Sequence, residues 1–148
     1  MLSYTSYGQG RPVVFLHGFL LDSQGWSFFR PDEKQFQSIF IDLPGHGKSA
    51  DELPDEIGLN FFAEAVCEVL RSLHVRTYDL VGHSMGGYIG LQLMQSDCPP
   101  EKLILFHSNH WADSEERRAN RDRVGPVVRQ NQRRITESHQ QVRLSKNS

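Results

Sequence analysis

Ser84 lies in Gly82-His83-Ser84-Met85-Gly86, a G-x-S-x-G pentapeptide placed where the apolar run Tyr78-Asp79-Leu80-Val81 must give way to a helix starting near Met85. A serine held on so sharp a strand-to-helix turn projects its hydroxyl clear of the sheet. Glycines on either side remove the Cβ atoms that would collide there. Ser84 is therefore the candidate nucleophile, and the chemistry it points to is attack on a carbonyl carbon. Alone, the pentapeptide also reads as a structural glycine turn, so its neighbours must decide.

Two upstream segments stand in the order such a turn requires. Pro12-Val13-Val14-Phe15-Leu16 is a short apolar, β-branched run ending in His17-Gly18-Phe19, as expected of a buried parallel strand opening into a loop at its carboxyl end. Ser38-Ile39-Phe40-Ile41 is a second run, ending in Asp42-Leu43-Pro44-Gly45-His46-Gly47-Lys48-Ser49. HGF, DLPGHGKS and LVGHSMGG, in that order and each at a strand end, resemble the α/β-hydrolase superfamily in its esterase and lipase-like serine-hydrolase branch. The resemblance covers roughly residues 1–125.

The resemblance implies a partial α/β-hydrolase fold: a mainly parallel sheet with flanking helices, without the C-terminal strands and helices of the family. It also implies acyl transfer on a carboxylic ester or thioester. Ser84 matches the nucleophile, and the backbone N–H groups of Met85 and Phe19 match the two donors of an oxyanion hole. His83, beside the nucleophile, and Trp111 are candidates for touching substrate, although Trp111 reads equally as packing beneath a lid. Serine at position 84 speaks against the haloalkane dehalogenase and epoxide hydrolase branches, which carry aspartate there. No cofactor is implied.

In this fold the triad runs Ser, then Asp or Glu, then His. The histidines after Ser84 are His107, His110 and His139. The first two precede any usable acid, and His139 lies in a polar stretch. Asp113 reads better as a helix N-cap than as the catalytic acid. The 148-residue chain is thus expected to behave as a partial domain, hydrolysing weakly or not at all. The alternative is a non-catalytic fragment that binds an acyl ligand or a partner.

The positioning elements are legible from periodicity. Leu2 to Tyr7 alternates weakly and predicts an edge strand. Asp22 or Ser23 can cap a short helix through Trp26 and Phe29, closed by Pro31. From Leu59, the apolar positions Phe62, Ala63, Val66, Val69, Leu70 and Leu73 recur at helical spacing. Tyr88, Ile89, Leu91, Leu93 and Met94 make the helix after Ser84 apolar on nearly all sides, as a helix beneath a sheet should be. Lys102 to Phe106 predicts one more strand. Such alternation predicts right-handed crossovers and a parallel sheet, with Ser84, Phe19 and Asp42 gathered at its carboxyl edge. Residues 1–129 are expected to form the core, with the start of a lid at about 111–129 carrying acid early and arginine late. Residues 130–148 lose the apolar period and are expected to be a disordered tail.

Composition excludes other classes. A net charge of -2 gives no case for nucleic acid as the main partner. The arginines from Arg117 to Arg134 are interleaved with acids and read as a solvated helix face. Gly47-Lys48-Ser49 copies the end of a phosphate-binding loop, but that motif needs glycine at position 42, where Asp42 stands. The histidines show no metal-ligand spacing. Asp42 is expected to brace the loop after its strand. No membrane-spanning run or signal peptide is visible, and Cys67 and Cys98 read as free thiols, so a cytoplasmic protein is expected. The last strand leaves an open sheet edge, through which self-association is expected.

Overall fold

A computed structural model of the chain describes residues 1–50, 53–55 and 57–108. Five strands, β1 (Tyr4–Tyr7), β2 (Arg11–Leu16), β3 (Phe36–Ile41), β4 (Asp79–His83) and β5 (Lys102–Phe106), form one sheet in the order β1-β3-β2-β4-β5. β1 runs antiparallel to β3 at one edge, and every other pairing is parallel. The register aligns Ile41 with Leu16, Leu16 with Gly82, and Gly82 with Leu105. The loops that follow β2, β3, β4 and β5 therefore all open at one edge, where ligands of a parallel α/β sheet bind.

Two helices cover one face of the sheet. α1 (Leu59–Ser72) buries Phe62, Ala63, Val66, Val69 and Leu70, the stripe read from the sequence, and α2 (Met85–Leu93) buries Ile89 and Leu93. They pack on Val14, Leu16, Ile39, Ile41 and Leu80, alternate strand residues that share a face. The intervening positions point the other way, where Phe15 stacks on Phe40 at 4.7 Å and meets the edge of Trp26 at 5.3 Å. α1 stops where His74 takes φ 58°, while the Val75 N–H bonds the Leu70 carbonyl and the His74 N–H that of Arg71. These are the two bonds of a Schellman cap.

The structure corrects two expectations. The helix predicted from Asp22 or Ser23 through Phe29 is a single 3₁₀ turn, Ser23–Trp26. Asp22 does cap it, accepting from the Gln24 N–H at 2.8 Å. Gly25 lowers helical propensity in its middle, and Phe28 stands exposed after its end. Cys67 and Cys98 are not free thiols but a disulfide, with Cα atoms 6.1 Å apart across a separation of 31 residues. Spacing along the chain could not reveal this, because α1 and the segment after α2 meet only in the fold. With both cysteines in a disulfide, the chain offers no free thiols that would point to a reducing compartment. Among the described residues, no helix is long and apolar enough to cross a membrane.

Candidate active site at the carboxyl edge of the sheet

Ser84 is the single residue between β4 and α2, at φ 49° and ψ -111°. Side chains other than glycine rarely hold such angles, which cost about 1–3 kcal/mol. The surroundings fix them: the Ser84 N–H donates to the Phe106 carbonyl at 3.1 Å, and the Gly87 N–H donates to the Ser84 carbonyl at 2.9 Å. The turn admits no side chain on either flank. A Cβ at Gly82 would lie 2.5 Å from the Gly86 carbonyl oxygen, and one at Gly86 would lie 2.3 Å from that of Leu16. Glycine at both positions lets α2 start directly against the strands, with its N-terminal dipole beside the Ser84 hydroxyl.

The loop after β2 lies against this turn. A Cβ at Gly18 would come within 2.8 Å of His83 Nδ1 and 3.4 Å of Ser84 Cβ. Phe19 follows, half-exposed, its ring edge-on to His46 at 5.8 Å. The chain then turns, with the Leu21 N–H bonded to the Gly18 carbonyl and Leu20 at φ 63°.

His17 ties that loop to the one after β3. It is 1% exposed; Nδ1–H donates to the Gly18 carbonyl at 2.8 Å and Nε2 accepts from the Leu43 N–H at 2.9 Å. An Nε2 that accepts carries no proton, so the ring is neutral. Burial holds its pKa down to about 4, against the opposing pull of the Gly18 hydrogen bond. His46 is buried beside it, bonded through Nδ1 to the Pro44 carbonyl at 2.9 Å, and burial lowers its pKa too. The Asp42 carboxylate accepts from the Ser23 and Lys48 N–H groups at 2.8 and 2.9 Å, bracing the loop that follows it. Ser49 spends its hydroxyl on the Ser3 N–H at 2.8 Å, a bond to the start of the chain.

His83 faces three rings, Phe106 at 5.6 Å, His107 at 6.0 Å and Trp26 at 6.3 Å. Desolvation, with the nearby His107, lowers its pKa. His107 has φ 48° just past β5. Ser108, which no sequence motif marks, joins the site through its hydroxyl, which donates to the Ser84 carbonyl at 2.8 Å. The register sets His83 opposite Phe106, so residues just past Phe106 must lie beside Ser84. Trp111, His110, Asp113 and His139 lie outside the described residues, as do the expected lid start and tail. Among the described residues, no group of three or more His, Cys, Asp or Glu side chains could hold a metal ion.

Comparison with known proteins places this geometry in context. The family model described as "Alpha/beta hydrolase family" matches residues 13–138. A 2-succinyl-6-hydroxy-2,4-cyclohexadiene-1-carboxylate synthase of Citrobacter koseri is 35% identical over 102 residues, covering 66% of this chain and 38% of the relative. An (E)-2-((N-methylformamido)methylene)succinate hydrolase of Acinetobacter baylyi is 30% identical over 108 residues, covering 69% of this chain and 40% of the relative. Among solved structures, a thermophilic esterase from Thermogutta terrifontis is similar at TM-score 0.78 and 31% identity, covering 86% of this chain and 47% of that one. The chain spans half or less of the length of each of these relatives.

Proposed function

The chain belongs to the alpha/beta hydrolase family, and on that premise we propose that it carries the nucleophile and oxyanion site of a serine hydrolase acting on a small carboxylic ester or thioester. The observation that carries the reading is Ser84, held at φ 49° between β4 and α2 with the Gly18 loop against its side chain. In this reading the Ser84 hydroxyl oxygen bonds the substrate carbonyl carbon, the acyl C–O or C–S bond breaks to leave an acyl-serine, and the serine proton passes through water to the departing alcohol or thiol. Charge develops on the carbonyl oxygen as the first of these bonds forms, and the Met85 and Phe19 N–H groups hydrogen-bond it. Each such donor stabilises the transition state by about 3 kcal/mol. His83, at the end of β4 beside Ser84, is placed to contact the acyl or leaving group. Two of the relatives named above, a succinate-derivative hydrolase and an esterase, support a hydrolase reading, while a synthase stands beside them.

A serine hydroxyl without a paired base is a poor nucleophile at neutral pH. Oxyanion stabilisation and binding alone still leave about 10³-fold catalysis over water when triad members are missing. Among the described residues no base is bonded to the Ser84 hydroxyl, and slow acylation with little turnover is therefore expected. Incubation with p-nitrophenyl acetate, followed by intact mass measurement, should reveal one acetyl adduct that maps to Ser84 and vanishes in Ser84→Ala. An adduct that persists in Ser84→Ala, or none at all, overturns the assignment.

A further inference from the structure

We propose that Ser108 is a positioning residue for the oxyanion hole, acting through the Ser84–Met85 peptide; the inference rests on the assignment of Met85 as an oxyanion donor. The Ser84 carbonyl and the Met85 N–H belong to one peptide unit, which is planar and, like every peptide bond in the described residues, trans. The two groups therefore point in opposite directions, and fixing one fixes the other.

Two donors fix the carbonyl. The Gly87 N–H reaches it at 2.9 Å from within α2, and the Ser108 hydroxyl reaches it at 2.8 Å from the segment after β5. The first bond is the ordinary opening of a helix. The second comes from another part of the sheet, so it ties the direction of the Met85 N–H to β5 rather than to α2 alone. A carbonyl with both lone pairs engaged also polarises the N–H of its own peptide, strengthening it as a donor.

Gly87, the third residue after the serine, leaves the space this hydroxyl occupies. A Cβ at Gly87 would lie 2.2 Å from Ser108 Oγ and 2.6 Å from Ser108 Cβ, so any other residue at 87 would expel the serine from its place. The strain at Ser84 gives the bond work to do. A residue at φ 49° and ψ -111° relaxes toward ordinary angles unless held, and the relaxation would rotate this same peptide.

The test uses the full 148-residue chain with Ser108→Ala, Gly87→Ala and Ser84→Ala. With p-nitrophenyl acetate, Ser108→Ala should acylate about tenfold more slowly at an unchanged half-saturation concentration, because the lost geometry matters only in the transition state. Gly87→Ala should mimic it. Deuterium exchange, read by mass spectrometry, should quicken at the amides of residues 84–87 in Ser108→Ala and stay unchanged in α1. An acylation rate equal to that of the unaltered chain overturns the proposal, as does a loss that follows global unfolding. If the unaltered chain forms no adduct at Ser84, the serine-hydrolase reading fails. The exchange experiment then decides Ser108 alone, and unchanged exchange at residues 84–87 shows that its hydroxyl holds nothing.

Discussion

His17 shows how one side chain can set the pH response of the site. Its Nε2 must stay unprotonated to accept from the Leu43 N–H, and its folded-state pKa is about 4 against an ordinary value of 6.5. The unfolded chain therefore takes up a proton between pH 6.5 and 4 that the folded chain refuses. Stability is full above pH 6.5 and falls as the pH drops through that window, by about 1.4 kcal/mol per unit once the unfolded histidine is charged. His46 is displaced in the same direction by burial, so the two effects add. Urea unfolding at pH 7, 6 and 5 should show the midpoint falling steadily, with a shallower slope in His17→Asn. A midpoint level across that range would contradict the neutral, accepting ring. The same protonation would loosen the tie between the Gly18 loop and the Leu43 loop, so acylation of Ser84 is expected to weaken together with stability.

At the scale of elements, the helices are held by different means. α1 is driven by its apolar stripe, yet its first turn has no side-chain cap, Gly58 standing at the N-cap. Its C-terminal end carries a complete pair of Schellman bonds around a histidine in the left-handed region. Glycine adopts that conformation without the Cβ conflict that every other residue meets there. His74→Gly should therefore raise stability by about 1 kcal/mol, read as a higher urea midpoint with unchanged cooperativity. A lower midpoint would mean that the imidazole contributes more than the backbone strain costs. α2 depends on glycine rather than on a stripe. Gly86, Gly87 and Gly90 face the sheet, bringing the helix backbone almost onto the strands. The disulfide from Cys67 to Cys98 closes the far side of this pair, linking α1 to the segment after α2.

Across the described sheet, the two edges are unlike. β1 is short and antiparallel, while β5 pairs with β4 alone and presents Ile104 and Phe106 at 54% and 41% exposure. Phe28 adds exposed aromatic surface on the loop after the 3₁₀ turn. An unpaired parallel edge with exposed apolar side chains is a template for another chain. The chain should therefore self-associate at micromolar concentration, giving a light-scattering mass above 17.0 kDa that rises with concentration. Ile104→Lys should lower that mass. A monodisperse monomer with a sharp, reversible unfolding transition would refute this expectation.

The order of the sheet's apolar runs, the α1 stripe and the place of Ser84 were legible because each depends on residues near one another in sequence. Period-two and period-3.6 patterns report which face is buried, and paired glycines around a serine report a turn that cannot hold side chains. The motifs HGF, DLPGHGKS and LVGHSMGG likewise gave the family, since each marks a strand end. What the tertiary structure alone decided depends on contacts between distant segments. Ser108 reaches Ser84 across 24 residues, His17 reaches Leu43 across 26, and Cys67 meets Cys98 across 31. No local pattern encodes such meetings. The Ser108 hydroxyl and the His17 imidazole acquire their partners only when parallel pairing brings separate loops to one edge, the two thiols meet only when α1 packs beside the segment after α2, and only burial determines whether the imidazole of His17 can carry a proton.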